Sequence, residues 1–190
     1  MEQKSSHAWV APVVGALVAA GVALGYFWLM APESTRVKVG MTAPELELPS
    51  VGPGGVKLSS FRGKPVLLSF FMSTCHICER EITEIEDIHR TYRLRGLVVL
   101  GVSADADYAA RERFVREKNL TFGLLRDPHG EKILEAFGSH KLPEAYLIDA
   151  GGVVRAVWLG SVRWRSPEVR RQIEDVLPAT PPLSPKRPSA

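Results

Sequence analysis

Val66–Tyr92 reads VLLSFFMSTCHICEREITEIEDIHRTY, and this stretch decides the fold. Val66–Phe71 is an apolar run around Ser69, the mark of a strand covered on both faces. Further on the period changes. Cys78, Ile82, Ile85, Ile88 and Tyr92 recur every three or four residues, with Glu81, Glu84, Glu86, Asp87 and Arg90 between them. That is the stripe of an amphipathic helix, acidic in its first half, basic at its end through Arg93 and Arg95, and stopped at Gly96. Cys75 stands at the strand-to-helix junction and Cys78 in the first turn.

These are the only two cysteines of the chain. Three chemistries fit a CxxC pair: a redox couple, half of a metal site, or a short covalent staple. A helix N-terminus has unpaired N–H groups and about half a positive charge, which stabilises a thiolate. The thiolate is the species that attacks disulfides, and a second cysteine three residues on can resolve the mixed disulfide so formed. A zinc site needs about four ligands. His76, His89, His129 and His140 form no second CxxC or HxxxH cluster, so no metal is expected. A staple closing so short a loop would constrain little unfolded-chain entropy. Redox exchange is the reading that remains favoured. His76, between the cysteines, is a candidate for tuning the thiolate by its partial positive charge. Glu81 is a candidate proton acceptor beside the pair, or else a first-turn glutamate favoured by the helix dipole.

Outward from this unit, Leu46–Leu48 and Val56–Leu58 alternate around a turn at Gly52–Gly55 and predict a hairpin. Phe61–Pro65 predicts a turn. Leu97–Val102 is a second buried strand, Tyr108–Lys118 a charged helix with Phe114 and Val115 as its contacts, and Thr121–Leu125 a short strand. Asp127–Gly130 reads as a turn, followed by a short helix through Ile133, Leu134 and Phe137 that ends at Gly138. Ala145–Ile148 and Val153–Trp158 flank Asp149–Gly152 as a hairpin, and Ser166-Pro167 opens a last helix with a cap and a first-turn proline. A strand–helix–strand start with a late hairpin implies an α/β fold with a mixed central sheet between helices.

The 190 residues fit one domain with appendages, and 45% hydrophobic with 24% charged content is globular. A net charge of +3 and the lack of a basic run with interleaved aromatics argue against nucleic acid. Residues 8–31, AWVAPVVGALVAAGVALGYFWLMA, carry no charge. About 20 apolar residues span a bilayer. Trp9 near one end and Tyr26 and Trp28 near the other suit its interfaces. The expected organisation is an N-terminal tail (1–7), a transmembrane anchor (8–31), a linker (32–38), the folded domain (39–177) and a disordered Pro-rich tail (178–190). Lys4 precedes the span, while Arg36 and Lys38 follow it. That balance is mildly against an inside N-terminus, but long domains translocate largely regardless of charge. A cleaved signal peptide is the alternative, with Val18-Ala19-Ala20 as its cleavage site.

Several pieces together resemble the thioredoxin-like, membrane-tethered thiol–disulfide oxidoreductases of the TlpA/ResA kind. They are Val39–Pro44, Leu58–Pro65 with its Gly63-Lys64-Pro65, the Cys75-His76-Ile77-Cys78 pair, and Leu142–Asp149 followed by Gly151-Gly152. The resemblance spans residues 39–160. It implies a thioredoxin-like fold with an N-terminal β-hairpin extension and a redox-active Cys75–Cys78 disulfide needing no further cofactor. It also implies a cis-proline at Pro143 facing the cysteines, with Leu142 presenting a backbone edge to substrate. Glu81 matches a position implicated in the active site of the ResA-like members. Thr74 stands where the family usually has Trp, and Ile77 where it usually has Pro. Ser69 replaces the buried Asp of thioredoxin. The potential and proton path should therefore differ, with His76 and Ile77 as tuning residues and Thr74, Leu142 and Pro143 as substrate contacts. The implied partners are protein thiols, apocytochrome c among them, and a membrane electron donor or oxidant. The implied location is the cytoplasmic membrane, single-pass, with the domain on the periplasmic side.

Two other functions compete. A peroxiredoxin-like peroxidase would want P-x-x-x-T-x-x-C, but Leu68 and Met72 occupy those places. A copper-binding assembly module could use Cys75 and Cys78 as soft ligands.

Overall fold

The computed structural model describes residues 36–50 and 54–178, with residues 13, 14, 17, 19–22, 25 and 26 of the N-terminal apolar stretch. The chain divides into two units, Met1–Thr35 and Arg36–Ala190. The expected anchor falls largely outside the described residues. Those within it are helical and exposed, Leu17 and Tyr26 among them. Among the described residues no helix is long and apolar enough to cross a membrane. The Pro-rich tail lies outside them except for Pro178.

The second unit is built on a five-stranded sheet. Its strands are β3 (Val66–Phe71), β4 (Val98–Ser103), β5 (Gly123–Arg126), β6 (Glu144–Ile148) and β7 (Val154–Leu159), in the order β5-β4-β3-β6-β7. β3 pairs parallel with β4, and β4 with β5, while β6 runs antiparallel to both β3 and β7. A separate hairpin joins β1 (Glu47–Pro49) to β2 (Gly55–Lys57). The helices are α1 (His76–Tyr92), α2 (Tyr108–Glu117), α3 (Glu131–Phe137) and α4 (Pro167–Val176). The mixed sheet and the hairpin extension match the sequence expectation.

Strand alternation separates two cores. Leu67 and Phe71 of β3 point to one face with Val99, Ala145 and Leu147, where α1, α2 and α4 bring Ile82, Ile85, Phe114 and Ile173. Val66, Leu68 and Phe70 point to the other with Val102, Tyr146 and Ile148, where α3 and the N-terminal segment bring Ile133, Phe137, Val37 and Leu46. Every residue of β3 is buried, as a central strand requires. A fully buried aliphatic side chain contributes about 1.5–3 kcal/mol. An exposed ion pair at i,i+4 on a helix is worth only about 0.3–0.5 kcal/mol. The Ile82, Ile85 seam therefore holds α1 on the sheet.

Several boundaries differ from the periodicity. Leu58 leaves the hairpin for a 3-10 turn, Leu58–Phe61, which buries its side chain under the sheet. β5 starts at Gly123 rather than Thr121, because Thr121 donates its N–H and hydroxyl to Glu86 at 2.8 and 2.5 Å. Burial pushes Glu86 up, but these bonds and Arg90 outweigh it and hold the carboxyl below its usual range. The folded unit also begins earlier than the expected linker allows. Residues 36–38 belong to it: Val37 is 3% exposed and donates to the Phe137 carbonyl at 3.2 Å.

Candidate active site

β3 ends at Phe71, and the chain crosses Met72–Thr74 to reach Cys75, the N-cap of α1. Two contacts hold that crossing. The Ala104 N–H donates to the Phe71 carbonyl at 2.9 Å, and the Cys75 N–H to Met72 at 3.1 Å. A carboxylate sets the middle of it. Asp105, 7% exposed and two residues past the end of β4, accepts the Ser73 N–H at 3.0 Å and hydroxyl at 2.6 Å, and the Ser103 hydroxyl at 2.7 Å. The apolar pattern gives no sign of Asp105, whose importance comes from the parallel β3–β4 pairing. A buried polar residue just past a buried strand is the one signal that could have found it.

Cys75 and Cys78 form a disulfide, with Cα atoms 5.2 Å apart. The Cys75 sulfur also accepts the Cys78 N–H at 3.3 Å, in the place of a capping side chain. Cys78 is 1% exposed, whereas Cys75 is half-buried. One sulfur is therefore accessible to a partner, and it is the one under the helix N-terminus. On reduction the same N–H and dipole would stabilise negative charge on it.

The Leu142–Pro143 peptide bond is cis. Pro143 is buried and Leu142 half-buried, and Leu142 lines a cavity together with Met72 and Cys75. Glu144, the next residue, is a buried carboxylate. It accepts hydrogen bonds from the Ser139 and Tyr146 hydroxyls and from Arg36 Nη2 at 3.1 Å. Burial, then Glu144, pushes the Tyr146 phenol upward. Sequence reading placed neither Glu144 nor Arg36 at the site, since 108 residues separate the two.

Glu81 lies on the buried side of α1, 3% exposed. It accepts the Val162 N–H at 2.5 Å and the Trp164 indole N–H at 3.3 Å. Burial outweighs these bonds and raises its carboxyl above the usual range. The loop it holds, between β7 and α4, also reaches the cis-proline: the Gly160 N–H donates to the Pro143 carbonyl at 2.9 Å. That loop thus bridges α1 and the Pro143 turn.

The other expected site residues are at the surface. Thr74 and His76 are exposed, and Ile77 is 44% exposed. His76 Nδ1 lies 3.5 Å from Glu79, whose other oxygen takes Lys118 Nζ at 2.5 Å. Lys118 first, then His76, hold the Glu79 carboxyl below its usual range. Any positive charge on His76 is therefore shared with Glu79 rather than offered to Cys75 alone.

The profile of the AhpC/TSA family matches residues 39–157. The thiol-disulfide oxidoreductase ResA of Geobacillus kaustophilus is 31% identical over 146 residues, 77% of this chain and 82% of that protein. That of Geobacillus thermodenitrificans is 30% identical over the same shares. Among solved structures, a candidate thiol:disulfide interchange protein DsbE from Chlorobium tepidum superposes with a TM-score of 0.68 at 27% identity. The match covers 74% of this chain and 98% of that one.

Proposed function

The chain belongs to the AhpC/TSA family and is a thioredoxin-like thiol–disulfide oxidoreductase, and we propose that it exchanges its Cys75–Cys78 pair with protein cysteines outside the cytoplasm while tethered by residues 8–31. One observation carries the reading. The sulfur of half-buried Cys75 caps α1, while Cys78 is shielded from solvent. Cys75 is then the attacking thiolate. It adds to one sulfur of a substrate disulfide, and the other sulfur leaves as a thiolate. Cys78 gives up its proton and attacks Cys75, which restores the internal disulfide and releases the second substrate thiolate. Two electrons pass to the substrate, and the reverse sequence oxidises a dithiol.

Glu81, one helical turn beyond Cys78 and with a carboxyl raised by burial, is the proposed proton acceptor for Cys78. Pro143 and Leu142 shape the site that receives the substrate backbone, and Thr74 flanks it. His76 and Ile77 tune the potential. An apocytochrome c is among the proposed substrates, with a membrane electron donor or oxidant to reset the pair. The ResA relatives and the 24-residue uncharged stretch at 8–31 support this reading.

The test is the reduction potential of the Cys75–Cys78 pair, from thiol counts after equilibration with glutathione or dithiothreitol. A value below about −230 mV makes the protein a reductase, and one near −120 to −180 mV an oxidant or isomerase. Cys78→Ser should accumulate mixed disulfides on Cys75. In intact spheroplasts a membrane-impermeant thiol reagent should label reduced Cys75. If no internal disulfide forms in solution, thiol exchange by this pair is excluded.

A further inference from the structure

A cavity of about 420 Å³ opens beside Cys75, between the Met72–Cys75 crossing, α3 and the loop leading to Pro143. Its apolar lining includes Met72, Leu134 and Leu142, and Leu134 is 40% exposed despite its size. Its polar lining includes His129, His140 and Lys141, all three exposed, and among the described residues no carboxylate lines it. His129, one of the lining residues, holds a left-handed backbone, φ 69°, uncommon outside glycine.

The two buried carboxylates nearby, Asp127 and Glu144, are already engaged, while Glu131, next to the lining residue Gly130, is exposed at the start of α3. Asp127 accepts the backbone N–H groups of Lys132 and Ile133 at 3.2 and 2.7 Å. Glu144 is taken by Ser139, Tyr146 and Arg36. Lys132 pairs with Glu135. By contrast, the side chains of His129, His140 and Lys141 enter no hydrogen bond or ion pair among the described residues. The groove thus combines an apolar surface with a donor-rich, cationic rim, immediately next to the accessible sulfur.

We propose that this groove sets substrate choice: it receives an extended protein segment that carries an apolar side chain and an aspartate or glutamate close to the reacting cysteine. The proposal rests on the thiol-exchange reading above and adds the class of polypeptide served. Lys141 supplies the fixed charge, and the two imidazoles supply hydrogen-bond donors to the carboxylate. Complementary charge at such a rim raises encounter rate and suppresses wrong partners more than it raises affinity.

The experiment uses the full chain, reduced, in detergent. Its oxidation is timed by quenched thiol alkylation against three cyclic disulfide peptides that differ only in a Glu, Gln or Lys beside one cysteine, each with a neighbouring Leu. Neutral hydroxyethyl disulfide is the fourth oxidant. The Glu peptide should react at least about threefold faster than the Lys peptide at low salt, and the gap should close in molar salt. Lys141→Glu combined with His140→Glu should invert the ratio, and Lys141→Gln should give an intermediate one. Any effect of these changes on Cys75 itself cancels, because the readout is a ratio within each variant. A ratio near one in the unaltered protein, or one that charge reversal leaves in place, overturns the proposal. So does exchange with hydroxyethyl disulfide but with none of the peptides. Exchange with none of the four oxidants overturns the thiol-exchange reading as well.

Discussion

At the scale of single residues, the site is a contrast between two sulfurs and two carboxylates. Cys75 and Cys78 share one turn of helix, yet only one is open to a partner. Glu81 and Glu86 share the same helix, yet burial raises Glu81 while hydrogen bonds from Thr121 and Arg90 lower Glu86 against the same burial. A carboxyl raised in the folded state favours folding while it stays protonated. That contribution is full below the unfolded-state value and is lost as pH climbs through the raised folded value. Glu81→Gln should therefore flatten the decline in stability with rising pH above about pH 4, measured by denaturant midpoints across the acid-to-neutral range. The same substitution should remove the pH dependence of Cys78 attack on a mixed disulfide over that window. Parallel stability curves for the two proteins would reject a raised Glu81.

At the scale of elements, the sheet tolerates little change where strands and helices interleave. Gly101 sits in β4 under aromatic rings. A Cβ there would lie 2.6 Å from Phe122 Cε2 and 3.2 Å from Phe71 Cε1. Gly101→Ala should cost about 1–3 kcal/mol by overpacking, read as a lower urea midpoint. Because Phe71 is the last residue of β3 before the Met72–Cys75 crossing, the variant should also alter the rate of exchange. An unchanged midpoint would mean that both rings move aside freely. The helix ends were more legible than the strands. Ser166 caps α4 by accepting the Val169 N–H at 3.3 Å, and Gly96, at φ 93°, ends the 3-10 turn that follows α1, as their residue types imply. Strand limits depend on which partner completes the ladder, so β5 and the hairpin moved by one or two positions from the periodicity.

At the scale of the whole molecule, the question is where the folded unit begins. Arg36 pairs with Glu144, beside the cis-proline, so the first residue of the folded unit supports the site itself. A fragment starting at Glu33 should unfold cooperatively and keep the potential of the full chain. A fragment starting at Val37 leaves Glu144 buried without its cation. It should lose about 1–3 kcal/mol, measured by thermal and denaturant unfolding. Arg36→Gln in the longer fragment should reproduce that loss. Equal stability of the two fragments would show that Ser139 and Tyr146 alone satisfy the carboxylate.

The sequence by itself determined what depends on local period and residue chemistry. It specified the buried β3 run, the amphipathic α1, the CxxC pair at their junction, the late hairpin and the capped last helix. Through its motifs it also carried the family and the place of Pro143. Only the tertiary structure decided which groups meet across the sheet. Asp105 holds Ser73 because β4 lies beside β3. Glu81 turns inward to Val162 and Trp164 because α1 packs against the loop before α4. Arg36 reaches Glu144 because the N-terminal segment packs against the C-terminal end of α3 at Phe137 and Gly138. His129, His140 and Lys141 gather around one cavity because two loops converge on Cys75. Each of these depends on polar partners far apart in the chain, and such pairings leave no period in the sequence to be read.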